Sequence, residues 1–319
     1  MLLFAAGSTI WCWSFVRVRD MEKVIVLLGV YNGAKYLQQQ LDSLYRQQGV
    51  EVSILARDDG STDESRTILE QNAKAHTLTW FSTVHRGVTD GFYELMEKAC
   101  EWDADYYAFC DQDDVWDEDK LITAVSQLKH CKLDRPALYY CGQRLVDQEL
   151  HFLSDHYLND SRSLKTRFVL SDFAGCTGVF NRALLEEVVT FKPDYMLMHD
   201  TWVLRVCLGL GGEVIVDPTP HMSYRQHPGN AIGLNRGVLS TIRQVKQYVF
   251  SYQVERVTKE LIKGYGDRMV PEYKEAADWI LRYRTDRVAR KKLLDKTEVD
   301  FCSRGLNLTY WCKIFLKRL

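Results

Sequence analysis

The densest group of chemistry-bearing residues is Asp111-Gln112-Asp113-Asp114, which follows a short apolar run. Three carboxylates within four residues repel one another, and a divalent cation relieves that repulsion. Carboxylate oxygen is the ligand type that Mg²⁺ and Mn²⁺ prefer, so the segment predicts a metal site. The alternative is a helix N-terminus capped by Asp114 or Asp117, but a cap leaves Asp111 unexplained.

A second polar segment, Asp58-Asp59-Gly60-Ser61-Thr62-Asp63, also follows an apolar run. Asp58 and Asp59 can accept hydrogen bonds from a nucleobase N–H or a ribose hydroxyl, and Gly60 permits a tight turn. A plain strand-to-helix connection with Ser61 as the helix cap explains the segment equally well. By itself, therefore, this segment does not decide between ligand binding and a turn.

Both segments follow predicted strands of one sheet. Apolar strands alternate with helical segments, and a final helical region follows about Val238. This pattern predicts a mainly parallel α/β sheet flanked by helices, with a helical C-terminal appendage. The strands are predicted over Val24–Val30, Val52–Ala56, Leu78–Ser82, Tyr106–Cys110, Ala137–Cys141, Glu213–Val216 and Pro220–Arg225. Ligands of such sheets bind beyond the carboxyl ends of the strands, where the polar segments fall.

Three motifs taken together carry a resemblance to a known family. They are Val30-Tyr31-Asn32-Gly33, the Asp58 to Asp63 segment, and Asp111-Gln112-Asp113-Asp114-Val115-Trp116. In this order they resemble the inverting family 2 glycosyltransferases of GT-A fold, over about Lys23 to Gly233. Gln112 and the later segments His199-Asp200-Thr201-Trp202 and Tyr224-Arg225-Gln226-His227 are similar to a rhamnosyltransferase-like branch that builds bacterial surface polysaccharides. Gly29 departs from the pattern, since many members carry Thr, Ser or Pro there.

The resemblance implies a donor site for a nucleotide sugar. Tyr31 and Asp59 would hold the base with Asp58 close by, and Asp111 would contact the ribose or the metal. The donor-binding residues implied in this way are Tyr31, Asn32, Asp58, Asp59, Asp111 and Arg225. Arg225 equally suits an ion pair with a nearby acid.

The resemblance also implies a metal site and a base. Asp113 would bind Mg²⁺ or Mn²⁺ at the diphosphate, and His227 matches a position that can supply a further ligand. Asp200 matches the family's catalytic base, and an inverting transfer needs one carboxylate to take the acceptor's proton. The alternatives are an N-cap role for Asp200 and a polar loop role for His227. We expect His199 to be a packing or hydrogen-bonding neighbour rather than an acid–base group.

Composition and charge describe a folded protein with two unlike parts. The chain has 319 residues, 46% of them hydrophobic, and a net charge of −2. From Arg236 onwards it carries 19 basic and 10 acidic residues, while the part before it carries 22 basic and 33 acidic ones. The 9 cysteines form no Cys-x-x-Cys pair, so neither a disulfide framework nor a zinc module is indicated and a reducing cytoplasm fits.

The two ends of the chain suggest three segments. We expect translation to start at Met21, with residues 1–20 as an extension and a weak membrane anchor as the alternative. Residues 21–237 would form the catalytic domain and 238–319 a basic helical region. Its last residues, from Leu306 to Leu319, interleave apolar side chains with Lys and Arg, which suits an anionic membrane surface. A solvated basic face on a packed helix is the alternative, and nucleic-acid binding is not indicated.

The sequence therefore predicts a metal-dependent, inverting glycosyltransferase. Its expected donor is dTDP-rhamnose and its expected acceptor a hydroxyl of a saccharide or lipid-linked saccharide. We expect it in the cytoplasm, peripheral at the inner face of the plasma membrane. The alternatives are a UDP-hexose-dependent enzyme of the same fold, a non-catalytic sugar-nucleotide-binding subunit and a nucleotidyltransferase. The last predicts a Gly-rich, basic phosphate loop after the first strand, which Tyr31-Asn32-Gly33 does not supply.

Overall fold

The computed structural model describes residues 21–132, 134–227 and 253–319. The predicted N-terminal extension, 1–20, lies outside the described residues. The predicted boundary between the catalytic domain and the helical region, at 237 and 238, lies outside them as well.

The first half of the sheet is parallel, as the alternating pattern predicts. Its strands are β1 (Lys23–Val30), β2 (Glu51–Asp58), β3 (Leu78–Ser82) and β4 (Tyr106–Asp111), and its helices are α1 (Ala34–Tyr45), α2 (Ser65–Ala75) and α3 (Val88–Ala99). The strands pair in the order β3-β2-β1-β4. The carboxyl ends of β1, β2 and β4 therefore meet at one edge, because parallel strands share their direction.

The second half of the sheet is mixed. Its strands are β5 (Val115–Trp116), β6 (Ala137–Val146), β7 (Phe152–His156), β8 (Gly178–Asn181) and β9 (Glu213–Arg225). β8 runs antiparallel between β4 and β6, β9 runs parallel to β6, and β5 pairs with β9. The two predicted closing strands form a single strand, β9, whose pairing with β6 is irregular near Pro220. This register shift explains why the sequence suggests two strands, since Pro lacks a ladder donor.

Among the described residues, further helices flank this half, and a helical region follows within residues 253–319. The flanking helices are α4 (Lys120–Leu128), α5 (Leu164–Val169), α6 (Arg182–Val189) and α7 (His199–Gly209). The C-terminal helices are α8 (Val254–Tyr265), α9 (Pro271–Arg282), α10 (Arg287–Leu294) and α11 (Arg304–Phe315). No helix among the described residues has the length and apolar character needed to cross a membrane.

The C-terminal helices share an apolar core with the sheet and with α7. Leu261 of α8 and Ile280 of α9 are buried in the same apolar cluster as Trp202 and Leu204 of α7. The Tyr265 hydroxyl donates a hydrogen bond to the Glu187 carbonyl at 2.9 Å. The predicted appendage is therefore built into the side of the domain that carries α7, and it supports the helix on which Asp200 lies.

Candidate active site

Gln112 joins the loop after β4 to the loop after β1. The Tyr31 N–H donates to Gln112 Oε1 at 2.8 Å, and Gln112 Nε2 donates to the Tyr31 carbonyl at 3.0 Å. A Cβ on Gly33 would lie 2.1 Å from the same Oε1, so only glycine leaves room for this side chain. Gln112 marks the family motif in the sequence, and in the structure it fixes the backbone of Tyr31.

Asn32 joins the loop after β1 to the loop after β2. Its N–H donates to Ser61 Oγ at 2.9 Å, and its side-chain oxygen accepts from the Thr62 N–H at 2.8 Å. Its φ of +48° is a left-handed conformation, which Asn adopts more readily than most residues. These contacts account for Asn32 as a link between two loops, and donor binding by its side chain stays a prediction.

The segment after β2 supplies hydrogen-bond acceptors to the start of α1. Ser65 Oγ accepts from the Gly33 N–H at 2.9 Å, and Asp63 Oδ2 accepts from the Ala34 N–H at 3.0 Å. A helix start leaves such N–H groups without intrahelical partners. The reading of Ser61 as the cap of α2 is wrong, because Glu64 occupies the N-cap and makes no side-chain cap bond.

Asp58 is buried and fully engaged by side chains around it. It accepts hydrogen bonds from Arg66 Nε at 2.7 Å, Ser82 Oγ at 2.8 Å and the Ser61 N–H at 3.1 Å. Burial acts to raise the pKa of Asp58, but these hydrogen bonds outweigh it and hold the pKa below its ordinary value. Asp58 therefore ties β2, β3 and α2 together as a carboxylate.

Asp59 ties the end of β2 to the start of α3. Its carboxylate accepts from Arg57 Nη1 at 2.6 Å, the Arg86 N–H at 2.8 Å and the Gly87 N–H at 2.9 Å. Burial acts to raise the pKa of Asp59, yet these donors leave it lowered. His85 Nδ1 lies 2.8 Å from the same carboxylate.

Two exposed rings lie beside Asp59. The rings of Tyr31 and His85 have centroids 4.5 Å apart, and the Tyr31 residue is 45% exposed. Their faces can stack on a planar ligand while the Asp59 region supplies polar contacts. Sequence reasoning missed His85, although its position just after β3 places it at the edge where ligand sites are expected.

Asp111 and Asp114 form an acidic group with the Cys176 thiol. The candidate ligand atoms of the three residues lie within 4.8 Å of one another. One Asp114 oxygen accepts from the Arg225 N–H at 3.1 Å, and the other is buried without a hydrogen-bond partner among the described residues. Burial, followed by the charge of Asp113, raises the pKa of both carboxyls. A buried carboxylate oxygen without a partner fits a cation-binding group.

The helix-cap alternative for this segment is wrong. The N-cap of α4 is Asp119, without a side-chain cap bond, and Asp117 forms an ion pair with Arg144 at 2.9 Å. Asp114 lies beneath the loop instead, where it holds the end of β9.

Asp113 and His227, the two predicted metal ligands, are neighbours. His227 Nε2 lies 2.7 Å from Asp113 Oδ2, although 113 residues separate them in the chain. Both side chains are partly exposed, at 15% and 16%. Their oxygen and nitrogen atoms are donors of the type that Mg²⁺ and Mn²⁺ accept. Asp111 itself lies in the neighbouring group with Asp114 and Cys176, so its joining Asp113 and His227 around one ion stays a prediction.

Arg225 lies beneath the Asp113 loop. Its Nε donates to the Asp113 carbonyl at 2.8 Å, Nη2 donates to Gln39 Oε1 at 2.8 Å, and Nη1 donates to the Gln148 carbonyl. The guanidinium also lies 4.4 Å from the centre of the Tyr36 ring. These contacts support the loop that carries Asp113, and contact with the donor stays a prediction.

Lys120 is a buried cation next to the acidic group, and sequence reasoning missed it. Its Nζ donates to the Cys176 carbonyl at 2.9 Å and lies 3.2 Å from the centre of the Trp116 ring. Burial lowers the pKa of Lys120, and its charge in turn acts to lower the pKa of Asp111. Helical periodicity could have revealed it, because Lys120 shares one face of α4 with the buried Leu121 and Ala124.

Asp200 lies in the first turn of α7 and is buried. Its Oδ2 accepts from the Gly175 N–H at 3.0 Å, and Oδ1 accepts from the Thr201 N–H. Burial raises the pKa of Asp200 to about 6, against the effect of these two hydrogen bonds. The N-cap alternative is wrong, because Met198 occupies the cap position. Gly175 connects Asp200 to the acidic group, because the next residue, Cys176, lies with Asp111 and Asp114.

His199 is a packing residue, as expected. Its ring stacks on Phe92 with centroids 4.0 Å apart and meets the Phe109 ring edge-on at 4.7 Å. Burial lowers the pKa of His199 to about 3, so the ring is neutral. A Cβ on Gly29 would lie 3.2 Å from the Phe92 ring, which explains why a small residue suits this position of β1.

A family model decides the class of the protein. The model of glycosyl transferase family 2 matches residues 25–189, just over half of the chain. The chain belongs to glycosyl transferase family 2. The matched region runs from β1 through the acidic segment to α6 and leaves Asp200 outside, in the part that follows.

Curated relatives agree with this class. The dTDP-rhamnosyl transferase RfbG of Shigella flexneri is 28% identical over 224 residues, which cover 65% of this chain and 74% of the relative. The uncharacterized glycosyltransferase RT0329 of Rickettsia typhi is 27% identical over 188 residues, 56% of each chain.

Solved structures show the GT-A fold. TarS 1-349 of S. aureus, in complex with UDP-GlcNAc, superposes with a TM-score of 0.58 at 13% identity. The match covers 93% of this chain and 82% of the TarS chain. The mannosyltransferase PcManGT of Pyrobaculum calidifontis, in complex with GDP-Man and Mn²⁺, superposes with a TM-score of 0.54 at 17% identity. The match covers 94% of this chain and 88% of the PcManGT chain. The predicted GT-A fold is confirmed.

Gly33→Ala tests the contact between the two loops. The new Cβ would collide with Gln112, so the two hydrogen bonds to Tyr31 would be lost and the free energy of unfolding would fall by about 1–3 kcal/mol. Urea unfolding measures this change. Gly305→Ala is the matched control, because a Cβ there meets nothing within 4 Å and α11 should gain helix propensity. Equal stability changes in the two variants would contradict the assignment.

Proposed function

We propose that the protein is a metal-dependent, inverting transferase that moves rhamnose from dTDP-rhamnose to a hydroxyl of a saccharide or lipid-linked saccharide. The product would belong to a cell-surface polysaccharide. One observation carries the proposal: the Gly175 N–H donates to the buried carboxylate of Asp200 at 3.0 Å, and the next residue, Cys176, lies with Asp111 and Asp114 in the acidic group. A base beside a cation-binding group is what displacement of a nucleoside diphosphate requires.

The donor would lie across the carboxyl ends of β1, β2 and β4. Its base would stack on Tyr31 and His85 above the carboxylate of Asp59, which supports recognition of a planar heterocycle with N–H groups. Asn32 and Asp58 would act beneath it, by holding the loops. The similarity to RfbG, a dTDP-rhamnosyl transferase, supports the thymidine nucleotide and the rhamnose.

The diphosphate would lie over the acidic segment. Asp113, His227 and Asp111 would hold a Mg²⁺ or Mn²⁺ ion, which supplies positive charge to the departing diphosphate when bound. PcManGT, a neighbour in fold, is a complex with Mn²⁺, which supports this choice of cation. Arg225 would keep the Asp113 peptide in place from below, through its hydrogen bond to that carbonyl.

Asp200 would be the base. Its carboxylate would accept the proton of the acceptor hydroxyl while that oxygen attacks the anomeric carbon from the face opposite the diphosphate. A single displacement of this kind inverts the anomeric configuration. The Gly175 and Thr201 N–H groups would hold the carboxylate and favour its ionised form.

Asp113→Ala should remove the cation site. Loss of this carboxylate removes one oxygen ligand beside His227, and the affinity for Mn²⁺ should fall by about 10-fold or more. Titration of the protein with Mn²⁺, followed by electron paramagnetic resonance, measures the affinity. Asp117→Ala is the matched control, because Asp117 belongs to an ion pair outside the cluster. Unchanged Mn²⁺ affinity in Asp113→Ala would refute the metal assignment.

Asp200→Asn should abolish proton abstraction and leave donor binding intact. General-base catalysis contributes about 10²–10⁴-fold, so kcat should fall by that factor. In the wild type, kcat/KM should fall as the pH drops through about 6, because the raised pKa of Asp200 means that its carboxylate becomes protonated there. A nucleotide-release assay measures both. Full turnover by Asp200→Asn would exclude Asp200 as the base and favour another catalytic group.

The C-terminal helix offers a surface for an anionic membrane. Tyr310 and Ile314 of α11 are buried in the domain core, while Leu308, Phe315 and Leu316 are exposed. Arg304, Lys317 and Arg318 are exposed at the two ends of this helix. Apolar side chains that insert and cations that meet lipid phosphates suit a peripheral position at the inner face of the plasma membrane, where lipid-linked acceptors would be available.

Replacing Phe315 and Leu316 by Ser should release the protein from vesicles that contain phosphatidylglycerol. Substitution is preferable to truncation, because Tyr310 and Leu319 are core residues. Vesicle sedimentation measures binding, and a nucleotide-release assay with a soluble acceptor should show unchanged turnover. Phe152→Ser, at an equally exposed aromatic residue of β7, is the control. Vesicle binding that persists in the double variant would exclude this surface.

A further inference from the structure

We propose that the stack of Phe92 on His199 positions Asp200 for proton abstraction, which makes His199 a positioning residue. The inference rests on the proposed role of Asp200 as the base. It assigns a task to a buried histidine that the transfer reaction itself does not use.

The His199 ring acts through its shape. The residue is 3% exposed, and neither ring nitrogen has a hydrogen-bond partner among the described residues. One ring face lies on Phe92 at a centroid distance of 4.0 Å, and Phe109 meets the ring edge-on at 4.7 Å. An offset or edge-on aromatic contact restrains ring orientation without any proton transfer.

The His199 ring also lies against the turn that holds Asp200. A Cβ on Gly175 would lie 2.6 Å from His199 Nε2 and 3.5 Å from Asp200 Cβ, so the ring and the base pack on the same glycine. The Gly175 N–H is the donor that holds Asp200 Oδ2 at 3.0 Å. A shift of the ring would therefore move both the first turn of α7 and the hydrogen-bond donor of the carboxylate.

The stack has a firm anchor on its other side. Phe92 belongs to α3, whose first turn is held by Asp59 through the Gly87 N–H at 2.9 Å. One helical turn further, Glu94 forms an ion pair with the buried Arg57 at 2.8 Å. Asp59 is a predicted donor-binding residue, so α3 links the proposed nucleotide end of the site to the base at the other end.

Two substitutions separate ring packing from nitrogen chemistry. His199→Phe keeps an aromatic ring and removes the nitrogens, whereas His199→Leu removes the ring and keeps an apolar side chain. With dTDP-rhamnose, we expect His199→Leu to lower kcat by about 10-fold or more, since small displacements of a catalytic group are costly. We expect His199→Phe to keep kcat within about threefold, and both variants to keep the donor KM within about twofold.

Phe168→Leu is the matched control for loss of a buried aromatic ring. Phe168 is fully buried and packs on Tyr273 at a centroid distance of 5.1 Å, between α5 and α9. The Phe168→Leu variant should lower the melting temperature about as much as His199→Leu does, and it should leave kcat near the wild-type value. An equal loss of kcat in Phe168→Leu would mean that the His199 effect is general destabilisation and would overturn the proposal.

The remaining outcomes are also decisive. A wild-type kcat in His199→Leu would overturn the proposal. A His199→Phe variant as impaired as His199→Leu would also overturn it, because the ring nitrogens rather than the ring shape would then be required. If the wild type turns over no dTDP-rhamnose, the proposed function fails, and a crystal structure of His199→Leu still decides the inference. The Gly175 N to Asp200 Oδ2 distance should then exceed about 3.5 Å, the limit of a hydrogen bond. An unchanged distance of 3.0 Å would overturn it.

Discussion

The repulsion between carboxylates at the end of β4 is the constraint on which the site depends. Asp111 ends a buried strand and Asp113 and Asp114 follow it, and burial makes the negative charges of Asp111 and Asp114 costly. The protein lessens that cost with donors and cations from distant parts of the chain. β9 and the residues after it bring the Arg225 N–H and His227, and α4 brings Lys120. One Asp114 oxygen has no hydrogen-bond partner among the described residues, so the group of Asp111, Asp114 and Cys176 keeps capacity for a cation.

The loops around this cluster are fixed by side-chain to backbone hydrogen bonds. Gln112 fixes Tyr31, and Asp59 fixes the start of α3. Gln112 and Asp59 therefore build the site, whereas the exposed ring of Tyr31 can contact a ligand. A donor that stacks on Tyr31 would meet a rigid surface, and rigid surfaces lose little conformational entropy on binding.

Much of this was predictable from the sequence, and the exceptions have physical causes. Strands β1 to β4 follow from continuous apolar runs, and the polar motifs at their ends locate the site. The Gln112 contacts depend on tertiary packing, which no local pattern specifies, whereas the helical periodicity of α4 indicates the inward position of Lys120. Asp58 stays a predicted donor-binding residue, but the sequence alone does not show which side chains hold its carboxylate. Arg66 and Ser82 supply its partners only when α2 and β3 fold around it.

Thermal unfolding with a panel of nucleotide sugars, each with and without Mn²⁺, tests the metal-dependent donor site most directly. A ligand that binds the native state raises the melting temperature by mass action. We expect dTDP-rhamnose to raise the melting temperature only when Mn²⁺ is present, and UDP- and GDP-sugars to raise it less. A larger rise with a UDP-hexose would change the donor sugar and leave the site residues as assigned. No rise with any nucleotide sugar in the presence of Mn²⁺ would refute a metal-dependent donor site.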